Sequence, residues 1–102
     1  MVVSVYVTAR FRVRADARDA CLRAIREFVA GIRAGEPDTL EYTSVRPVDD
    51  PNAFVHFFRF ADEAAERRHA ALANTKRFVD ALYPSLIGEV EFTRYQEVAR
   101  AR

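Results

Sequence analysis

Between Ala53 and Phe60 the chain reads Ala-Phe-Val-His-Phe-Phe-Arg-Phe. Phe54, His56, Phe58 and Phe60 fall on one face of an extended strand, and Val55 and Phe57 fall on the other. Each buried aromatic ring withdraws about 150–250 Å² from water. A strand that is apolar on both sides therefore needs shelter on both sides, because a bare face would be a contiguous sticky patch. The rest of the sequence must supply that shelter.

The flanking segments supply one layer. From Val2 to Arg14 the residues alternate, with Val3, Val5, Val7, Ala9, Phe11 and Val13 on one side and Arg10, Arg12 and Arg14 among those on the other, which is a strand with one dry face. Asp16 is placed to cap a helix whose apolar residues Cys21, Ile25, Phe28 and Ile32 recur at helical spacing up to Gly35, with Pro37 as a stop. Leu40–Val45 reads as a second strand with Leu40, Tyr42 and Ser44 on one side, and residues 47–52, rich in Pro and Asp, read as a hairpin turn before the aromatic strand. Asp62 offers a second cap. The helix that follows is expected to break near Asn74-Thr75, to restart with Phe78, Val79 and Leu82 facing inward, and to be disturbed at Pro84. Gly88 precedes an expected last strand over residues 89–98.

The order strand–helix–strand–strand–helix–strand predicts an α+β, ferredoxin-like βαββαβ fold, with both helices on one face of a four-stranded antiparallel sheet. The length of 102 residues suits one domain with its core over residues 3–98. The helices cover one face only. A second copy of the sheet is the simplest cover for the other, so a homodimer is expected, with Arg10, Arg12 and Arg14 near its rim, able to meet a partner's acids.

Composition narrows the function classes. Sixteen basic residues, fifteen of them Arg, against fifteen acids leave a net charge of +1, which provides no field for nucleic acid or an anionic membrane. The longest apolar runs are far short of the roughly 20 residues of a membrane helix, and nothing at the N-terminus reads as an export signal. Cys21 is the only cysteine, so the chain forms no internal disulfide, and a reducing, cytoplasmic location is expected. Two histidines without clustered carboxylates do not make a metal site. Three glycines form no phosphate-binding loop, so no nucleotide cofactor is indicated.

Several pieces of the chain resemble one family. Ala9-Arg-Phe-Arg-Val13, Leu40-Glu-Tyr42, Asp49-Asp-Pro-Asn-Ala-Phe-Val55, Arg59-Phe-Ala-Asp-Glu-Ala-Ala65, His69 and Phe78-Val-Asp-Ala-Leu-Tyr-Pro84 together are similar to the antibiotic biosynthesis monooxygenase (ABM) domains of the dimeric α+β barrel superfamily. The resemblance runs from about Val3 to Val98. It implies a dimer whose subunits oxidise a small phenol or hydroquinone with O2, using neither metal nor flavin. The chain departs from the family pattern at Phe58 and Phe60, where Glu and Trp are common, and at Leu72 and Asn74, where Ser and a second His often stand. Haem degradation is disfavoured, since Ala9 occupies the position of an expected Asn.

Within that resemblance His69 is the candidate general base, because imidazole titrates near neutral pH and only an ionised phenol passes an electron readily to oxygen. Arg59 could stabilise developing negative charge or pair across a dimer, and Tyr42 could donate to a ligand oxygen. His56, Phe58, Phe60, Asn74 and Phe78 are the candidate pocket residues. A histidine buried at position 56 requires a hydrogen-bond partner such as Tyr42 or Tyr6. The competing functional reading is a non-catalytic dimeric ligand-binding or stress-associated protein that has lost the family's polar residues. RNA-recognition motifs share the element order and use sheet aromatics; here Asp50-Pro51-Asn52 stands where a basic residue, glycine and an aromatic belong, and the balanced charge lacks the electrostatic term such binding needs.

Overall fold

A computed structural model describes residues 4–102; Val2 and Val3, expected at the start of the first strand, lie outside the described residues. Strand β1 spans Val5–Val13, helix α1 Arg18–Gly35, β2 Thr39–Val45, β3 Ala53–Phe60, α2 Glu63–Ala71, α3 Ala73–Leu82 and β4 Leu86–Tyr95. The sheet is antiparallel in the order β2-β3-β1-β4, which is the ferredoxin-like arrangement. The aromatic strand β3 is central, pairing Phe60 with Val5 and Phe54 with Phe11 on one side and Phe58 with Tyr42 on the other.

Alternation decides the layering. Val5, Val7, Ala9, Phe11 and Val13 from β1 and Phe54, His56, Phe58 and Phe60 from β3 are all buried beneath the helices. Helix α1 meets them with Cys21, Ile25, Phe28 and Ile32, and α3 with Phe78 and Leu82. Phe28 and Phe78 stack with ring centroids 4.2 Å apart and planes within 2°, joining the two helices over the sheet. Close approach is written into the helix pair as well. A Cβ on Gly31 of α1 would come within 2.5 Å of the Asn74 side chain, whose Nδ2 donates to the Phe28 carbonyl at 3.1 Å.

Local signals and final boundaries differ at four places. Asp16 caps no helix: a 3-10 turn over Ala15–Ala17 precedes α1, and the Asp16 carboxylate receives Arg14 Nε instead. The second helical region breaks at Leu72, earlier than Asn74-Thr75, because Leu72 takes an extended backbone and Thr75 Oγ1 donates to the His69 carbonyl that would have continued the helix. Leu40 sits at an irregularity in the β2–β3 pairing and is exposed, so it does not share the inward side with Tyr42. Gly88 lies inside β4, not before it. Its left-handed backbone (φ 75°) falls where the β1–β4 register shifts between Arg10 and Arg12.

Asp62 does cap α2, accepting from the Ala65 amide at 2.8 Å. On the outer face of the sheet, Arg12 pairs with Asp50, and Arg14 binds Asp16 and the Pro84 carbonyl. Two of the three arginines expected at a dimer rim are thus engaged within their own chain. The same face carries Phe57, Val45 and Tyr95, each more than two-fifths exposed. Among the described residues no helix is long and apolar enough to cross a membrane.

Candidate functional site

A cavity of about 310 Å³ opens between the inner sheet face and helices α2 and α3. Ala9 from β1, Phe58 and Phe60 from β3, Phe78 from α3 and Phe92 from β4 contribute to its walls. They do so because the inward parity of each strand and the stripe of α3 point to the same space. A wider groove of about 580 Å³ between α1 and the edge strand β2 is lined by Arg26, Arg33 and Arg46, but neither histidine reaches it.

The polar residues lining the aromatic cavity include Tyr42 from β2, His56 from β3 and His69 from α2, together with Glu66, Thr75 and Tyr83. Tyr42 Oη and His56 Nδ1 are 2.8 Å apart. His56 is 1% exposed, and burial lowers its pKa to about 4, so it is a neutral imidazole at ordinary pH. Tyr42 is pushed far above the usual phenol range, first by burial and then by the nearby Glu36 carboxylate, so it stays protonated. Among the described residues the second ring nitrogen of His56, Nε2, is buried without a hydrogen-bond partner. An orphaned group of this kind costs roughly 1–3 kcal/mol unless something satisfies it, and His56 lines the cavity.

His69 rests among aromatic rings, with the Phe60 ring centroid at 5.2 Å and Phe28 at 5.7 Å. Its Nδ1 lies 2.7 Å from Glu36 Oε1, and the two side chains are only 10% and 6% exposed. Thr39 Oγ1 donates to the same carboxylate oxygen at 2.8 Å, while Glu36 Oε2 is buried and has no partner among the described residues. With Nδ1 committed to Glu36, Nε2 is the nitrogen left to the cavity. Glu36 is the residue that sequence reasoning missed. It stands between Gly35 and Pro37, where the helix-stop signal accounted for the whole segment, and its partner is 33 positions away.

Of the residues singled out in the sequence, His69, Tyr42, His56, Phe58, Phe60 and Phe78 come together at this cavity. Arg59 does not. It lies on the outer face of the sheet with its guanidinium 5.8 Å above the Tyr6 ring and within 3.5 Å of Ser4 Oγ, so it cannot stabilise charge in this cavity. Asn74 also stands apart, its amide spent on the Phe28 carbonyl at the α1–α3 contact. Among the described residues no group of three or more His, Cys, Asp and Glu side chains is placed to hold a metal ion.

A ferredoxin-like sheet whose helix layer encloses an aromatic cavity, with histidines supplied from a strand and a helix, defines a small α+β protein built around an internal cavity. The model of the antibiotic biosynthesis monooxygenase family matches residues 4–81, and the chain belongs to that family. A solved structure described as an antibiotic biosynthesis monooxygenase is 26% identical to it, with a TM-score of 0.88, covering 93% of this chain and 99% of that one. The protein Rv0793 from Mycobacterium tuberculosis is 23% identical, with a TM-score of 0.88 over 97% of this chain and 99% of its own. PA3566 from Pseudomonas aeruginosa is likewise 23% identical, with a TM-score of 0.85 over 97% and 98%. These two likenesses concern the fold alone. No curated protein sequence matches the chain.

Proposed function

We propose that this protein is a homodimeric, cofactor-independent monooxygenase of the ABM type that oxidises a small phenol or hydroquinone with O2. The observation that carries the proposal is the His69 imidazole, bonded through Nδ1 to a buried carboxylate and facing a cavity walled by flat aromatic rings. In this reading His69 Nε2 takes the phenolic proton and the electron pair stays on the substrate oxygen. The resulting phenolate is electron-rich enough to reduce oxygen. His56 Nε2, without a partner among the described residues, offers a neutral hydrogen bond to a second substrate oxygen. The apolar walls hold the ring and exclude bulk water.

Oxygen uptake with a panel of hydroquinones tests this directly. Wild type is expected to consume oxygen well above background, and His69→Ala to lose on the order of 10²-fold or more, the usual contribution of a general base. Equal, background-level rates for both proteins would end the enzymatic reading. The placement of Arg59 and Asn74 away from the cavity favours a second reading, a ligand-binding dimer without turnover. Tight binding of an aromatic with no product would select it.

A further inference from the structure

Glu36 is in a place that stability alone does not explain. It follows the last residue of α1, as the C-cap, where the helix macrodipole favours a cation and disfavours a carboxylate. It is also nearly dry, and a buried carboxylate costs several kcal/mol unless it is paired. Its oxygens are unevenly served: Oε1 meets both His69 Nδ1 and Thr39 Oγ1, while Oε2 is enclosed with no partner among the described residues. A carboxylate oxygen is a strong, charge-assisted acceptor for an N–H, and here that acceptor is Oε1 toward His69 Nδ1.

From this arrangement we infer that Glu36 is the positioning residue of the site: it fixes the singly protonated form of His69 with its N–H on Nδ1, leaves Nε2 as the lone-pair nitrogen toward the cavity, and stabilises the imidazolium once Nε2 has taken a substrate proton. The inference rests on the proposed role of His69 as base. In the step itself the substrate O–H bond breaks and an Nε2–H bond forms, the electron pair remaining on the substrate oxygen. The Nδ1–H bond to Glu36 persists throughout, as in other carboxylate-oriented imidazoles. A histidine without this partner would be free to carry its proton on Nε2, and its lone pair would then point away from the ligand. Other charged or titratable groups near the pair are Tyr42 on β2 and Glu66 on α2, the latter held by Arg94 of β4. On the outer side of Glu36, Arg33 and Glu41 line a shallow groove at the α1–β2 turn.

The test has two parts that fail separately. Long-range proton–nitrogen correlation spectra of the ¹⁵N-histidine-labelled, ligand-free full chain read the tautomer directly, with His69→Ala assigning the signals. Wild type is expected to show Nδ1 protonated and Nε2 bare at neutral pH, and Glu36→Gln to move a large share of the population to the other tautomer. Nε2 protonation in wild type would overturn the inference whether or not any variant folds. In turnover assays Glu36→Gln is expected to lose on the order of 10²-fold in kcat toward a weakly acidic hydroquinone. It should be nearly unaffected toward an acidic phenol that is already ionised at the assay pH, and Glu36→Asp should recover part of the loss. Equal losses on both substrates would mean a merely structural role and would overturn the inference. Absence of turnover in wild type, with the expected tautomer present, would overturn the catalytic reading of the cavity and leave the His69–Glu36 assignment supported.

Discussion

His56 shows how much the position of a single residue in the sequence discloses. A histidine flanked by aromatics on a central strand has to be buried, a buried imidazole has to find a partner, and Tyr42 is the one that meets it, 2.8 Å away. Parity along the same strand separates Arg59 from His56, since odd and even positions face opposite ways, so that the outward placement of Arg59 was also legible. Glu36 was not, because no local pattern reports a contact across 33 residues. The burial of His56 has a consequence for stability. Its folded pKa of about 4 lies below the 6.5 of an unfolded chain, so the unfolded state binds the proton first as pH falls. The stabilisation is complete above pH 6.5 and is lost between there and pH 4, by roughly 3 kcal/mol. Urea denaturation at pH 7 and pH 4.5 should show most of that loss in wild type and a clearly shallower pH dependence in His56→Gln; parallel slopes would contradict it.

At the scale of elements, the strands were readable from alternation and α1 from its apolar stripe, whereas their ends were set by partners outside the local sequence. The break at Leu72 follows from Thr75 taking the His69 carbonyl, and the early start of β4 follows from pairing with Val13. Contact between α1 and α3 makes a sharper point about competing effects. Replacing glycine by alanine inside a helix is worth about 1 kcal/mol, but the new methyl at position 31 would displace the Asn74 amide from the Phe28 carbonyl, costing about as much. Gly31→Ala is therefore expected to be close to neutral in wild type and to stabilise by about 1 kcal/mol in an Asn74→Ala background. A double-mutant cycle by chemical denaturation measures the difference, and additive effects would show that the two side chains do not compete. The ion pair between Arg94 of β4 and Glu66 of α2 closes the same layer near the cavity wall. It is more than half exposed on the arginine side, so screening by salt should weaken it. Affinity for an aromatic ligand is expected to vary with ionic strength in wild type and much less in Arg94→Ala.

The whole molecule raises the question of the uncovered sheet face. The two apolar sides of β3 call for two layers of cover, and the helices supply the first, burying Phe54, His56, Phe58 and Phe60 completely or nearly so. What remains outside is smaller than a second aromatic face: Phe57, Val45 and Tyr95 with Val55 beside them. In the proposed homodimer a second copy covers this patch. Sedimentation at micromolar concentration is expected to give a dimer for wild type and a monomer for Phe57→Glu, because a carboxylate there would be desolvated without a partner. A monomeric wild type would overturn the dimer.

The kink at Gly88 preserves the parity of β4. Arg10 faces Glu91 and Arg12 faces Ile87, so one residue of β1 stands against three of β4, and the surplus is an even number. Inward and outward positions therefore keep their order on either side of the kink, which is why Val90 and Phe92 still look into the cavity while Glu91 and Thr93 look out. A change of two residues at that bend would keep this parity while reshaping the mouth of the chamber. A change of one would turn the end of the strand inside out.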